Sequence, residues 1–238
     1  MKAPLSTPIR PGKRTRSAFT LIELMVVIGV ITVLAALTFP AVKKVKENAT
    51  RRKVKAELQQ IAVAIESYKA RYNTYPPDNP VINPTTVNAV TNPLFFELVG
   101  TEPAAANEYR TLDQKARIRT ADFNAVFGGG VAGFVNHTRD QSGEGQPAEN
   151  FFSKAGLPSS LIGSYAVGNS VVCLIVTSVP WPANLGNIIP GHPGMNPFRY
   201  VSSSPTNNPA SYDLWVDIFL GGKTNRISNW SEQRQFVN

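Results

Sequence analysis

Between Leu24 and Val42 the chain runs for 19 residues without a charged side chain, LMVVIGVITVLAALTFPAV. A helix of that length covers about 28 Å at ~1.5 Å per residue, close to the ~30 Å hydrocarbon thickness of a bilayer. The apolar part of a secretory signal is only about 7–15 residues long, so the run predicts a retained membrane helix. Beyond it the apolar positions become one-sided. Val54, Leu58, Ile61, Ile65, Tyr68 and Tyr72 follow in steps of four, three, four, three and four, the spacing of one helix face. A helix from Phe19 to about Tyr72 would be roughly 80 Å long. Asn73-Thr74-Tyr75-Pro76-Pro77 predicts its end, with Asn as a cap and two prolines that cannot continue it. Pro40, inside the helix, lacks a backbone donor and predicts a kink or local unwinding.

Downstream the pattern changes to short extended runs. Ser170–Val179 is β-branched and apolar and predicts a buried strand with Cys173 as small filler. Phe198–Ser202 is a second candidate. Tyr212–Leu220 alternates, with Leu214, Val216, Ile218 and Leu220 on one side and Asp213, Trp215, Asp217 and Phe219 on the other. Gly221-Gly222 predicts a turn and Asn225–Trp230 a returning strand. Asn92–Gly100 reads as a short helix, and most of residues 79–165 as irregular or locally helical. The fold class is therefore α+β: one long amino-terminal helix on a small antiparallel sheet, with an irregular insertion.

Charge changes the picture at two places. The chain has 24 Lys+Arg against 16 Asp+Glu, a formal +8. Residues 1–18 carry +5 with no acid, and residues 43–55 carry +6 with Glu47 as the single acid, which leaves −3 for the rest. The basicity belongs to two segments flanking the apolar run, so no nucleic-acid-binding domain is expected. The second cluster reads as a solvated helix face; the alternative is a surface that meets acidic neighbours or lipid phosphates. Both flanks being basic, the positive-inside rule does not orient the helix. Cys173 is the single cysteine, which rules out a disulfide within the chain. His137 and His192 alone do not make a zinc site or a catalytic constellation, and no enzyme activity is expected. Phe127–Phe134, FGGGVAGF, matches G-x-G-x-x-G without a strand before it or a helix after it, and reads as a glycine loop. Glu23 is the anomaly. An acid at bilayer depth costs roughly 2.5–3.5 kcal/mol, so it either has a partner or lies in the headgroup zone.

The residues around Glu23, SAFTLIELMVVIGVITVLAALTFPAV, resemble the class III signal of type IV pilins and type II secretion pseudopilins. The resemblance implies a basic leader over 1–18, cleavage between Ala18 and Phe19 by a prepilin peptidase, and methylation of the new Phe19 amine. Ala18 stands where the family usually has Gly. Glu23 becomes the fifth mature residue, whose carboxylate would pair with a methylated ammonium and set subunit register, and Pro40 falls where the family commonly has a helix-perturbing proline. The leader would be cytoplasmic, residues 19–42 the membrane and filament-core half of the helix, residues 43–75 its amphipathic half, and residues 76–238 an extracytoplasmic domain divided into the 79–165 insertion and a 166–238 sheet.

YKARYNTYPPDN, NPFRYVSS and YDLWVDIFLGGKTNRISNW are similar to segments of major pseudopilins. There a calcium ion often staples the loop after the main strand. Here that loop, GGKTNR, has no carboxylate, and hard cations usually take acids among their oxygen donors. Asp213 and Asp217 are weak calcium candidates, and no cofactor is expected. The implied partners are further copies of the chain, other pseudopilins, the peptidase, an inner-membrane secretion platform and lipid. The implied function is that of a pseudopilus subunit driving protein export. A type IV pilin or DNA-uptake minor pilin is an alternative, as is a membrane-tethered domain that never polymerises.

Overall fold

A computed structural model of the chain describes residues 20–79, 87–105, 107–128, 131, 133–139, 146–153 and 156–237. The chain divides after Lys46 into two units. Helix α1 (Leu21–Tyr72) contributes residues to both. In the first unit its apolar side chains face solvent: Leu21, Ile22, Leu24, Met25 and Val26 are each more than half exposed. Thr32 and Thr38 donate their hydroxyls to the carbonyls of Ile28 and Leu34, both at 2.7 Å. Those hydroxyls are thereby satisfied without water, the condition for a threonine inside an apolar medium. Position 40 remains helical, so the local unwinding expected at Pro40 does not occur.

In the second unit the apolar stripe of α1 is the spine of the core. Val54, Leu58, Ile61, Ile65 and Tyr68 are all buried, as the four-three spacing requires. Asn73 ends the helix in a left-handed conformation (φ 57°) and donates its N–H to Lys69 O at 2.8 Å. An asparagine tolerates that conformation better than most residues.

Two antiparallel sheets build the rest. The carboxyl-terminal one has the order β6-β7-β8-β9, from β6 (Arg199–Val201), β7 (Asp213–Leu220), β8 (Lys223–Ser228) and β9 (Gln235–Val237). Leu214, Val216 and Ile218 are buried, as alternation predicts, but Leu220 is only partly so, and Asp213 and Asp217 of the opposite side are buried as well. The β7–β8 turn puts both Gly221 and Gly222 at positive φ (63° and 80°), the geometry of a two-residue hairpin turn. A Cβ on Gly221 would also stand 2.8 Å from a carboxylate oxygen of Glu47.

The other sheet lies largely in the region read as irregular. Its order is β1-β2-β3-β5-β4, from β1 (Thr101–Ala105), β2 (Glu108–Thr111), β3 (Arg117–Arg119), β4 (Ile162–Val167) and β5 (Ser170–Ile175). The insertion therefore holds three short strands and the start of β4, which were not expected, while most of its described residues are irregular or in short helices as read. Helices α2 (Leu94–Val99) and α3 (Phe123–Phe127) pack among its aromatic residues. Its short strands carry charge instead of an apolar pattern. Glu102 pairs across the ladder with Arg110, and Glu108 with Arg119, contacts that need the partner strand in place. Residues 176–179 lie beyond the end of β5, so the strand read to Val179 is shorter than expected.

Candidate assembly and processing site

The start of α1 is built by four residues, Thr20-Leu21-Ile22-Glu23. The Glu23 carboxylate accepts the Thr20 N–H at 2.9 Å and the Thr20 hydroxyl at 2.7 Å, and the Glu23 N–H donates back to that hydroxyl at 3.3 Å. This is a reciprocal capping box, and it satisfies helix-start donors that have no partner within the helix. Sequence reasoning gave Glu23 an ionic role and missed this one, although Thr-x-x-Glu before an apolar run is its signature. Ala18 and Phe19, the expected cleavage pair, lie outside the described residues. Glu23 and Pro40, the expected assembly residues, both lie within α1.

Among the described residues no helix is long and apolar enough to cross a membrane. The spanning reading of residues 24–42 thus rests on the sequence.

Asp213 and Asp217, the calcium candidates, are both buried. The Asp213 carboxylate accepts the backbone N–H groups of Thr206, Asn207 and Asn208 at 2.9–3.0 Å and the Asn207 amide at 2.9 Å. The Asp217 carboxylate takes a bidentate fork from Arg226 at 2.8 and 3.0 Å, with Arg199 3.9 Å away. Its hydrogen bond raises the Arg226 guanidinium, whereas burial lowers that of Arg199. Both carboxylates are turned toward N–H donors, the opposite of what a divalent cation needs. Among the described residues no group of three His, Cys, Asp or Glu side chains could hold a metal. The glycine loop likewise departs from a dinucleotide site. A helix, α3, precedes it, and Gly128 is simply its left-handed cap (φ 65°).

One buried and fully engaged acid went unnoticed in the sequence. Glu97 of α2 is fully buried. Its carboxylate accepts the N–H groups of Val135 (2.9 Å) and Asn136 (3.0 Å) and the Tyr68 hydroxyl of α1 (3.0 Å). Burial raises its carboxyl above the usual range, against the opposing pull of those three donors. Asn136 extends the junction, donating to Glu97 O and Glu149 O, both at 2.7 Å, and accepting from Tyr72 at 2.8 Å. An acid inside PLFFELVG carries no sequence signal for this role, because its donors come from 29 positions earlier and from 38 and 39 positions later.

The prokaryotic N-terminal methylation motif matches residues 13–39. Type II secretion system core protein G of Aeromonas hydrophila is 39% identical over 64 residues, covering 27% of this chain and 45% of that protein. The protein of the same description from Pectobacterium carotovorum subsp. carotovorum is 42% identical over 65 residues, 27% of this chain and 41% of its own length. That of Klebsiella pneumoniae is 43% identical over 58 residues, 24% and 41% respectively. The chain thus spans less than half the length of these relatives. No solved structure matches it. Over about a quarter of its length, then, the chain is similar to type II secretion system core protein G, and it carries the prokaryotic N-terminal methylation motif at residues 13–39.

Proposed function

We propose that the chain is a structural subunit of a type II secretion-like pseudopilus, polymerised through its amino-terminal helix to drive protein export. The observation that carries this reading is the methylation motif running directly into a helix whose apolar side chains are exposed in the single chain. Exposed apolar surface on that scale calls for lipid or neighbouring helices.

In this reading residues 1–18 are a cytoplasmic leader and Ala18–Phe19 is the cleaved bond, with Phe19 then methylated. Residues 19–42 serve first as a single span of the bacterial inner membrane and later as filament core. Residues 43–75 are the amphipathic half of the helix, and residues 76–238 form the extracytoplasmic domain. Partners are further copies, other pseudopilins, the prepilin peptidase and the inner-membrane platform. Glu23 pairs with the methylated ammonium of its own or a neighbouring chain, because an unpaired acid among packed helices costs several kcal/mol. The role is mechanical, not catalytic.

Ala18→Arg tests the processing step. A long charged side chain should not fit a site that takes small residues, so the variant is expected to accumulate as full-length membrane protein without fibres. Normal trimming and assembly of Ala18→Arg would overturn the proposal.

A further inference from the structure

We propose that Arg51, Arg52, Lys223 and Arg234, with the ring of Phe236, form a docking surface for anionic phospholipid headgroups. The inference rests on the membrane reading of residues 24–42 and adds a second, reversible contact to it.

Four observations converge. First, cations from α1 and from the β8–β9 ribbon meet: Arg234 donates to Asn48 Oδ1 at 3.2 Å, and Arg51 to Asn225 Oδ1 at 3.2 Å. Burial and then the neighbouring Arg234 charge hold the Arg51 guanidinium below its usual range. Second, a cleft of about 170 Å³ opens beside them, lined by Arg51, Arg52, Lys55, Arg226, Ser231 and Gln233. The acids nearby are Glu47, whose carboxylate lies against Gly221, and two that are paired. Glu232, which also lines the cleft, pairs with Lys55 at 2.9 Å, and Asp217 with Arg226. Third, Phe236 is 54% exposed and flanked by cations, with Lys223 Nζ 5.4 Å and the Arg234 guanidinium 5.9 Å from its ring centre. An exposed aromatic ring between basic side chains is the chemistry of a membrane–water interface, where the ring enters the headgroup zone and the cations meet phosphates. Fourth, the surface follows the apolar run closely in the sequence. Asn48, which accepts the Arg234 hydrogen bond, lies only six residues past Val42. A basic surface so tethered works at high effective concentration, each cation contributing about 1 kcal/mol near an anionic leaflet, or roughly fivefold.

The test uses full-length protein reconstituted into phosphatidylcholine vesicles, with or without about 30% phosphatidylglycerol. Amide exchange of residues 223–237 is followed by mass spectrometry. Exchange is expected to slow several-fold in the anionic vesicles alone, and Lys223→Glu/Arg234→Glu, at two exposed positions, should abolish the difference. Equal exchange in both lipids overturns the proposal. Protection that ignores lipid charge but grows with protein-to-lipid ratio also overturns it, assigning the surface to a second copy of the chain. Alkaline extraction of the same vesicles separates the two levels. Protein retained in both lipids without a lipid-dependent change defeats the docking surface alone, whereas protein stripped from both defeats the membrane reading.

Discussion

Glu97→Leu is expected to destabilise the second unit by at least about 3 kcal/mol, enough to remove much of the margin of an ordinary domain. Leucine fills the space but accepts nothing, leaving the Val135 and Asn136 N–H groups and the Tyr68 hydroxyl buried without partners. Each orphaned donor costs about 1–3 kcal/mol. Chemical denaturation followed by tryptophan fluorescence measures the loss, and a midpoint equal to that of the parent would refute the role assigned to this acid. The same residue gives a pH dependence. Burial raises its carboxyl in the folded chain, so the folded state keeps the proton to higher pH than the unfolded one. Its contribution is then fullest below the ordinary carboxylate pKa and is lost as pH rises through the raised folded value. Glu97→Gln should abolish that slope. It should also lose part of the stability, since its amide would turn an N–H toward the Val135 N–H.

Glu23→Leu is expected to leave membrane insertion intact while fibres disappear. Removing the acid eases partition of the helix into lipid. In an assembled bundle, however, it leaves the methylated ammonium without its counter-charge, at a cost of several kcal/mol, more than a hundredfold in subunit association. The capping box complicates a single substitution, because leucine also removes the acceptor for the Thr20 N–H and hydroxyl, worth about 0.5–2 kcal/mol. Glu23→Gln separates the two roles. Glutamine serves in a capping box as glutamate does, but it carries no charge. If charge sets the register, Glu23→Gln fails to polymerise like Glu23→Leu. If it assembles normally, the helix cap is the function of this residue and the ionic pairing is wrong. Sedimentation of sheared fibres alongside membrane fractionation reads both outcomes.

The parts of the fold written in periodicity were legible. The α1 stripe from Val54 to Tyr68 is a local pattern that burial follows, whereas along β7 burial takes Leu214, Val216 and Ile218 but also Asp213 and Asp217 of the other side, and leaves Leu220 partly exposed. The glycine pair at 221–222 likewise announced its hairpin. The strands between Thr101 and Arg119 were not legible, because TEPAA, EYRT and RIR carry charges that become favourable only when Glu102 meets Arg110 and Glu108 meets Arg119 across the ladder. Tertiary pairing overrides propensity there. Glu97 was hidden for a related reason: its partners, two backbone N–H groups and the Tyr68 hydroxyl, are distant in sequence, and no local motif encodes them. For the assembly residues, the motif identified Glu23 but concealed its second use. The alternation also named Asp213 and Asp217 without revealing that the Thr206–Asn208 turn and Arg226 already occupy their oxygens.

The intact mass and amino-terminal sequence of protein purified from its native membrane test the central claim most directly. A chain that begins at Phe19 with a methylated amine is the predicted result. A chain that still begins at Met1, or one cut elsewhere, would contradict the account.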